Sequence, residues 1–270
     1  MSGPSPLFTL PLPMTDGSLT CTEPVPKVYL LTLISPPDNR TTKAVCEALV
    51  LALDIIENRY VPGVVVTTSG IPKFYSNGMD LQHAAATPRF WEECAWPMFR
   101  RFLTYSMPTI AWLNGHTYAA GFMLAMHHDY RVFNPHRGWM CLNEQDFGFP
   151  LPPPMVTLLT LKVPTPATRR ALVIETKRYT APEALAEGLV DVLGGWPEVM
   201  ALVTDKNLRA RGPTGANGAM KRELYRDAVA SLDNHHESQQ ARNRVEETKE
   251  REESAQRVES WDAQRRKTKL

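Results

Sequence analysis

The sequence predicts an α/β protein, and three observations carry that reading. Two short β-prone apolar runs, LFTLPLP (residues 7–13) and KVYLLTL (27–33), stand ahead of a stretch of helical periodicity at 42–59. A continuous apolar run, VVVTTS (64–69), follows, as expected of a strand buried on both faces. The order strand, loop, helix then returns in a second unit after Leu113.

The elements follow in order. Between the first two strands, residues 14–26 (MTDGSLTCTEPVP) are rich in turn formers and read as a connection. SPPDNR (35–40) is a loop. In the first helix Val45, Leu49, Ala52, Leu53 and Ile56 share one face, and Pro62-Gly63 stops it. Residues 70–81 form a loop that turns at Asn77-Gly78. Residues 88–105 read as one aromatic-rich helix ending before Pro108, and TIAWL (109–113) as a strand. Residues 114–131 give a loop and a helix, and YRVF (130–133) the next strand. WMCL (139–142) is a short strand, and NEQDFGFPLPPP (143–154) is a loop whose prolines are expected to shape a pocket wall. Helices are expected at 155–161 and 167–175. YTAPEALAEGLVDVL (179–193) reads as a helix, a stop at Gly188 and a last strand, with further helices from Trp196 and from Asn217. Residues 234–270 are crowded with Glu, Arg, Lys and Gln. Glu247–Arg251 and Glu253–Arg257 have helical i,i+4 spacing, so a solvated helix is expected, docked through Val258 and Trp261 and unstructured from Arg265 on. No internal repeat stands out.

Bulk properties exclude several classes. The 270 residues are 43% hydrophobic, enough for one sizeable core with an appendage. A formal charge of +1 makes no electrostatic case for nucleic acid or an anionic membrane as partner. Cys21, Cys46, Cys94 and Cys141 form no C-x-x-C, so reduced thiols are expected rather than a zinc knuckle or disulfides. The start, MSGPSPLFTLPLPM, has no basic region and is broken by prolines, unlike a signal peptide, and no apolar run has the length of a membrane span. A soluble chain is expected. There is no G-x-G-x-x-G after a strand, no P-loop and no G-x-S-x-G, and Gly212, Gly215 and Gly218 have the wrong spacing. His127-His128 and His235-His236 are adjacent pairs, not ligands on one helix face, so no metal is expected.

The chemistry points to the two strand–helix junctions. At Ser76-Asn77-Gly78-Met79-Asp80 a glycine permits a tight turn that aims a following N–H inward. At Tyr118-Ala119-Ala120-Gly121 small residues let a ligand approach the main chain, and a helix starting there aims free N–H groups at it. Either junction alone also reads as an ordinary turn. Two donors converging on one oxygen would make an oxyanion hole.

The pattern F-x-x-x-G-x-D-L at 74–81, followed by N-G-H-x-x-A-x-G-x-x-L-A-x-x-x-D-Y-R at 114–131, resembles the crotonase (enoyl-CoA hydratase/isomerase) superfamily. The resemblance covers roughly residues 26–208. It implies a spiral of ββα units with C-terminal helices, a core at 1–208 and a helical region at 209–270. It also implies acyl-CoA thioester substrates, no cofactor, and a homo-oligomer of three or six subunits.

Carried onto this sequence, the backbone N–H groups of Met79 and Ala120 would bind the thioester oxygen, although the family usually has glycine where Ala120 stands. Phe74, Ser76, Gly78, Asp80 and Leu81 from the first motif would serve the substrate. Tyr118, Gly121 and Met123 would do so from the second. Phe74, Tyr75, Tyr118, Phe122 and Phe147 are expected in the pocket wall or core, Asp80 and Asp129 as turn braces, and His116 as a packed, hydrogen-bonded histidine. Lys73 is the candidate contact for a CoA phosphate.

Hydratases of this family carry two glutamates. Here the first position is Met123 and the second aligns with Glu144. That is the single-acid pattern of Δ3,Δ2-enoyl-CoA isomerases, and residues 76–80, 114–131 and 143–152 are similar to plant-type peroxisomal ones. An apolar Met123 would also disfavour holding a water. The resemblance thus implies isomerisation within fatty acid β-oxidation. Still open are another crotonase reaction (hydration, thioester hydrolysis or decarboxylation, including one in a specialised biosynthetic pathway) and a non-catalytic acyl-CoA-binding role in which the charged helix serves a partner. Thr268-Lys269-Leu270 resembles the Ser-Lys-Leu peroxisomal address, which implies an import receptor as partner, with a cytoplasmic location otherwise.

Overall fold

The computed structural model describes residues 5–13, 15–235 and 237–268. It divides into two compact units, 1–234 and 235–270. The sequence reading drew the core at 1–208, and within the first unit the helix Arg226–Asn234 buries Ala228 and Leu232.

Among the described residues ten strands make two sheets. β1 (Phe8–Leu12), β2 (Gly17–Val25), β3 (Val28–Ile34), β4 (Val64–Ser69), β6 (Thr109–Leu113), β8 (Tyr130–Phe133) and β10 (Val192–Leu193) form a seven-stranded sheet in that order. β1, β2 and β3 pair antiparallel, and the rest are parallel. β5 (Phe74–Ser76), β7 (His116–Tyr118) and β9 (Met140–Cys141) form a second, parallel sheet of three strands. β4, β6 and β8 each run on into a strand of the small sheet. The chain therefore winds as a spiral of ββα units, which places the ends of β5 and β7 side by side.

Packing on the large sheet follows strand alternation. Val28, Val64, Val66, Ile110 and Val132 face Val199, Leu202 and Val203 of the helix Trp196–Asp205. Their neighbours Tyr29, Leu31, Val65, Ala111 and Phe133 face the larger core. That core takes Val45, Leu49, Ala52, Leu53 and Ile56 from the helix Lys43–Arg59, whose first turn Thr42 caps by accepting the Val45 N–H at 3.4 Å. The four cysteines are free and buried. Among the described residues no helix is long and apolar enough to cross a membrane, and no His/Cys/Asp/Glu cluster has metal-site geometry.

Several elements differ from expectation. Residues 17–25 form β2 rather than a connection. Leu19 and Cys21 point inward and are fully buried, and pairing on both sides outweighs the turn-forming residues. Pro24, which has no N–H to give, falls where the register with β3 shifts. The single helix expected at 88–105 is a π-helical turn, Trp91–Ala95, running into an α-helix, Trp96–Leu103. Pro97 cannot donate to the carbonyl four residues back, and the wider turn just before it absorbs the loss. A separate helix, Leu81–Ala86, precedes both. In the 143–154 loop, Glu144–Phe147 is a 3₁₀ turn closed by Gly148 at φ +66°, and a helix begins at Pro153.

In the second unit the helix Glu237–Thr268 continues past Arg265, where an unstructured end was expected. Val258 and Trp261, expected to dock it, are exposed. Lys249 pairs with Glu253 at 4.0 Å, and the Arg265 guanidinium lies 5.3 Å from the Trp261 ring centroid. Lys269 and Leu270 of the address-like ending lie outside the described residues.

Candidate active site

The two junctions meet. Gly78 has φ +88°, and a Cβ there would stand 2.9 Å from the Ala119 Cβ and 3.1 Å from the Tyr118 carbonyl oxygen. Gly121 approaches just as closely on the other side, since a Cβ would lie 2.7 Å from the Ser76 Cβ. Both glycines are needed because backbone packs on backbone here.

The geometry of each peptide then aims an N–H. The 35–41 loop lies along the first junction: Thr41 N–H donates to the Gly78 carbonyl at 2.8 Å, and Asp80 N–H to the Thr41 carbonyl at 3.1 Å. In a trans peptide C=O and N–H point opposite ways, so tying the Gly78 oxygen outward turns the Met79 N–H toward the cavity that Met79 lines. At the second junction the Ala119 carbonyl accepts from Met123 N–H at 3.0 Å, inside the helix Ala120–His127. The Ala120 N–H therefore leaves the helix end in the opposite direction, and Ala120 lines the same cavity. Among the described residues neither N–H donates to another group of the protein. Ala119 itself has φ 50° and ψ −123°, a conformation glycine usually takes.

Asn39 secures this arrangement. Buried and at φ 53°, it accepts from Ser35 N–H at 2.7 Å and donates to the Ser69 hydroxyl at 2.6 Å and the Tyr75 carbonyl at 3.1 Å. Its own carbonyl accepts from the Ser76 hydroxyl at 2.7 Å, and that hydroxyl accepts the Gly78 N–H at 3.2 Å.

The cavity has a volume of about 510 Å³, within the usual size of small-molecule sites. Glu144 is on its wall. Its Oε2 is buried and has no hydrogen-bond partner. Desolvation pushes its pKa from 4.5 up to about 7, with its own backbone N–H opposing. Asp80 also lines the cavity, but its carboxylate accepts the His83 N–H at 2.9 Å and caps the helix Leu81–Ala86. Glu144 is thus the lining carboxylate left free.

The sequence-predicted residues divide. Met79, Ala120, Glu144, Asp80, Leu81 and Phe147 line the cavity. Ser76, Gly78 and Gly121 shape the backbone beneath it. Phe74, Tyr118 and Met123 do not line it. Met123 is fully buried, as is every residue of its helix. Phe74 and Tyr118 pack with His116, whose Nδ1 pairs with the Tyr118 hydroxyl at 2.8 Å and accepts from Trp139 N–H at 3.2 Å. Burial, with Lys73 and Arg178 adding to it, holds the His116 pKa below the ordinary histidine value. Tyr75 and Phe122 are in the core. Asp129 braces β6 by accepting the Thr109 N–H at 2.8 Å. The Lys73 ammonium rests 5.2 Å from the Phe74 ring centroid, away from the cavity, and the prolines at 150–154 are likewise absent from its wall.

Sequence reasoning missed Pro37, Arg40, Trp91, Phe149 and Met155, all of which line the cavity. The aromatic run around Trp91 was the one available signal. Arg40 pairs with Asp38 at 3.2 Å, and Asp38 also accepts from the Asn77 amide at 2.7 Å, so a polar group forms at one part of the cavity.

An α/β spiral carrying two free backbone N–H groups and one desolvated carboxylate around a common cavity defines a class. It is suited to holding a carbonyl oxygen as it becomes anionic while a proton leaves a neighbouring carbon. The chain belongs to the enoyl-CoA hydratase/isomerase family, whose sequence model matches residues 25–264. It is 34% identical to Enoyl-CoA delta isomerase 3 of Arabidopsis thaliana over 61% of this chain and 72% of that one. It is 28% identical to the peroxisomal Enoyl-CoA delta isomerase 1 of the same plant, over 78% and 92%. Its fold matches an enoyl-CoA isomerase of Mycobacterium tuberculosis (TM-score 0.68, 23% identity, 79% and 93% covered). It also matches the human mitochondrial Δ3,Δ2-enoyl-CoA isomerase (TM-score 0.64, 21% identity, 83% and 95% covered). The chain is a crotonase-family enzyme acting on acyl-CoA.

Proposed function

We propose that this enzyme is a Δ3,Δ2-enoyl-CoA isomerase of fatty acid β-oxidation. The observation that carries the reading is Glu144, whose carboxylate Oε2 is buried without a hydrogen-bond partner on the wall that also holds Met79 and Ala120. The thioester oxygen accepts from the Met79 and Ala120 N–H groups. The Glu144 carboxylate takes a proton from C2, and the C–H electrons spread into a dienolate whose charge rests on that oxygen. Protonated Glu144 then gives its proton to C4, and the double bond ends between C2 and C3. A pKa of about 7 suits a group that must both take and give a proton near neutral pH.

Hydration needs a second group to hold and split a water, and the position where the family's hydratases carry another glutamate is the buried, apolar Met123. Relatives whose names read peroxisomal support placing the reaction in that organelle, and a homo-oligomer remains part of the proposal. The test is to incubate the protein with a 3-enoyl-CoA and a 2-enoyl-CoA and follow product mass. Conversion of the first to an equal-mass 2-enoyl-CoA, with no gain of water by either, is expected. A water-shifted product would overturn the assignment.

A further inference from the structure

The apolar part of the cavity has a specific construction. Trp91 and Phe149 both line it and lie nearly parallel, ring centroids 6.2 Å apart and planes at 22°. The plate they form is backed by the core. Trp91 packs on the buried Trp96 at 4.8 Å, Trp96 on Phe99 at 6.1 Å, and Phe99 stacks on His127 at 4.6 Å. A wall supported by close-packed rings cannot swing aside without disturbing the interior. The π-helical turn Trp91–Ala95 sets where the Trp91 indole leaves its helix. Phe149 N–H donates to the Glu144 carbonyl at 3.0 Å, so the same plate is tied to the turn that carries the carboxylate. The polar lining residues Arg40 and Asn77 gather instead on Asp38. A thioester with one polar arm and one hydrocarbon arm would gain by placing the hydrocarbon against the aromatic plate, where water is displaced from apolar surface on both sides.

We propose that the stacked Trp91–Phe149 pair sets the acyl chain-length limit of this site and disfavours long-chain acyl thioesters. The inference rests on reading the cavity as the acyl-CoA site, but not on which reaction follows. Each methylene that enters the apolar part adds about fourfold in affinity, and the increase stops where the chain meets the plate.

The experiment measures dissociation constants of saturated butanoyl-, octanoyl- and hexadecanoyl-CoA for the wild-type protein, Trp91→Ala and Trp91→Phe. Saturated thioesters bind without reacting, so a failure of the isomerase reading leaves this measurement intact. Wild type is expected to gain from butanoyl to octanoyl and to lose at hexadecanoyl. Trp91→Ala is expected to recover hexadecanoyl binding by about tenfold or more while butanoyl changes little, with Trp91→Phe between them. Trp91→Phe retains an aromatic ring in the stack and keeps the test available if the alanine variant does not fold. Parallel chain-length profiles in all folded proteins would overturn the plate as the limit. Absence of binding of every acyl-CoA to wild type would overturn the site assignment with it.

Discussion

Gly78 is held by the 35–41 loop at its carbonyl and by the Ser76 hydroxyl at its N–H, and Asn39 ties both to β4 and β5. The turn that carries Glu144 is different. It contains no buried residue, Phe147 on it is 69% exposed, and its outside ties are from Thr176 to Asp146 at 3.2 Å and from the Gln145 amide to the Val173 and Ile174 carbonyls. The contrast matches what each part must do. The thioester oxygen stays in one place throughout a double-bond shift, so its donors gain from being fixed beforehand. The proton travels between two carbons, so its carrier gains from a carboxylate that is dry yet loosely held.

The largest expected effect falls on the carrier. Glu144→Gln should lower turnover by on the order of 10³-fold, read in steady-state kinetics on a 3-enoyl-CoA, while acyl-CoA binding persists. The same substitution should stabilise the fold. At pH below 4.5 Glu144 is neutral in folded and unfolded chains and no cost arises; between 4.5 and about 7 the unfolded chain ionises first, and above 7 the folded chain bears the full cost. Denaturant melts should therefore show Glu144→Gln ahead by at most about 3 kcal/mol at alkaline pH, and level with wild type in acid.

The fixed half breaks differently. Gly78→Ala puts a Cβ 2.9 Å from that of Ala119 on a backbone at φ +88°, displacing the Met79 N–H. Turnover should fall by roughly 10²-fold, with a small change in KM, because a transition-state donor is moved rather than a substrate contact removed. Next in size, the pH profile should follow the carrier alone. With a base of pKa about 7, kcat/KM should rise roughly tenfold from pH 6 to pH 8 and then level off. The smallest effect is expected at Ala119→Gly, which relieves an L-residue at φ 50° and ψ −123°. A gain of about 1 kcal/mol in thermal or denaturant melts, with activity kept, would support the junction geometry.

What the sequence made legible follows from where each signal resides. Helix Lys43–Arg59 and β4 were readable because their burial patterns are local. The paired junctions were readable because a turn that needs glycine and a helix start that needs small residues leave marks at fixed spacing. β2 was not, since its pairing on both edges, rather than its composition, makes it a strand. Met123 was placed in the pocket by its motif position, yet its helix is buried all round and offers no apolar stripe from which to tell the cavity side. Trp91, Phe149 and Arg40 come from three separate segments, and only the spiral winding brings them to one cavity.

The central claim is that one carboxylate carries the proton from C2 to C4 while two N–H groups hold the oxygen. The most direct test gives the enzyme a 3-enoyl-CoA deuterated at C2, in ordinary water, under single-turnover conditions, with Glu144→Gln alongside. The account predicts that part of the deuterium appears at C4 of the 2-enoyl product and that the variant forms almost no product. Product formed by the variant at the wild-type rate, with no deuterium at C4 in either protein, would contradict it.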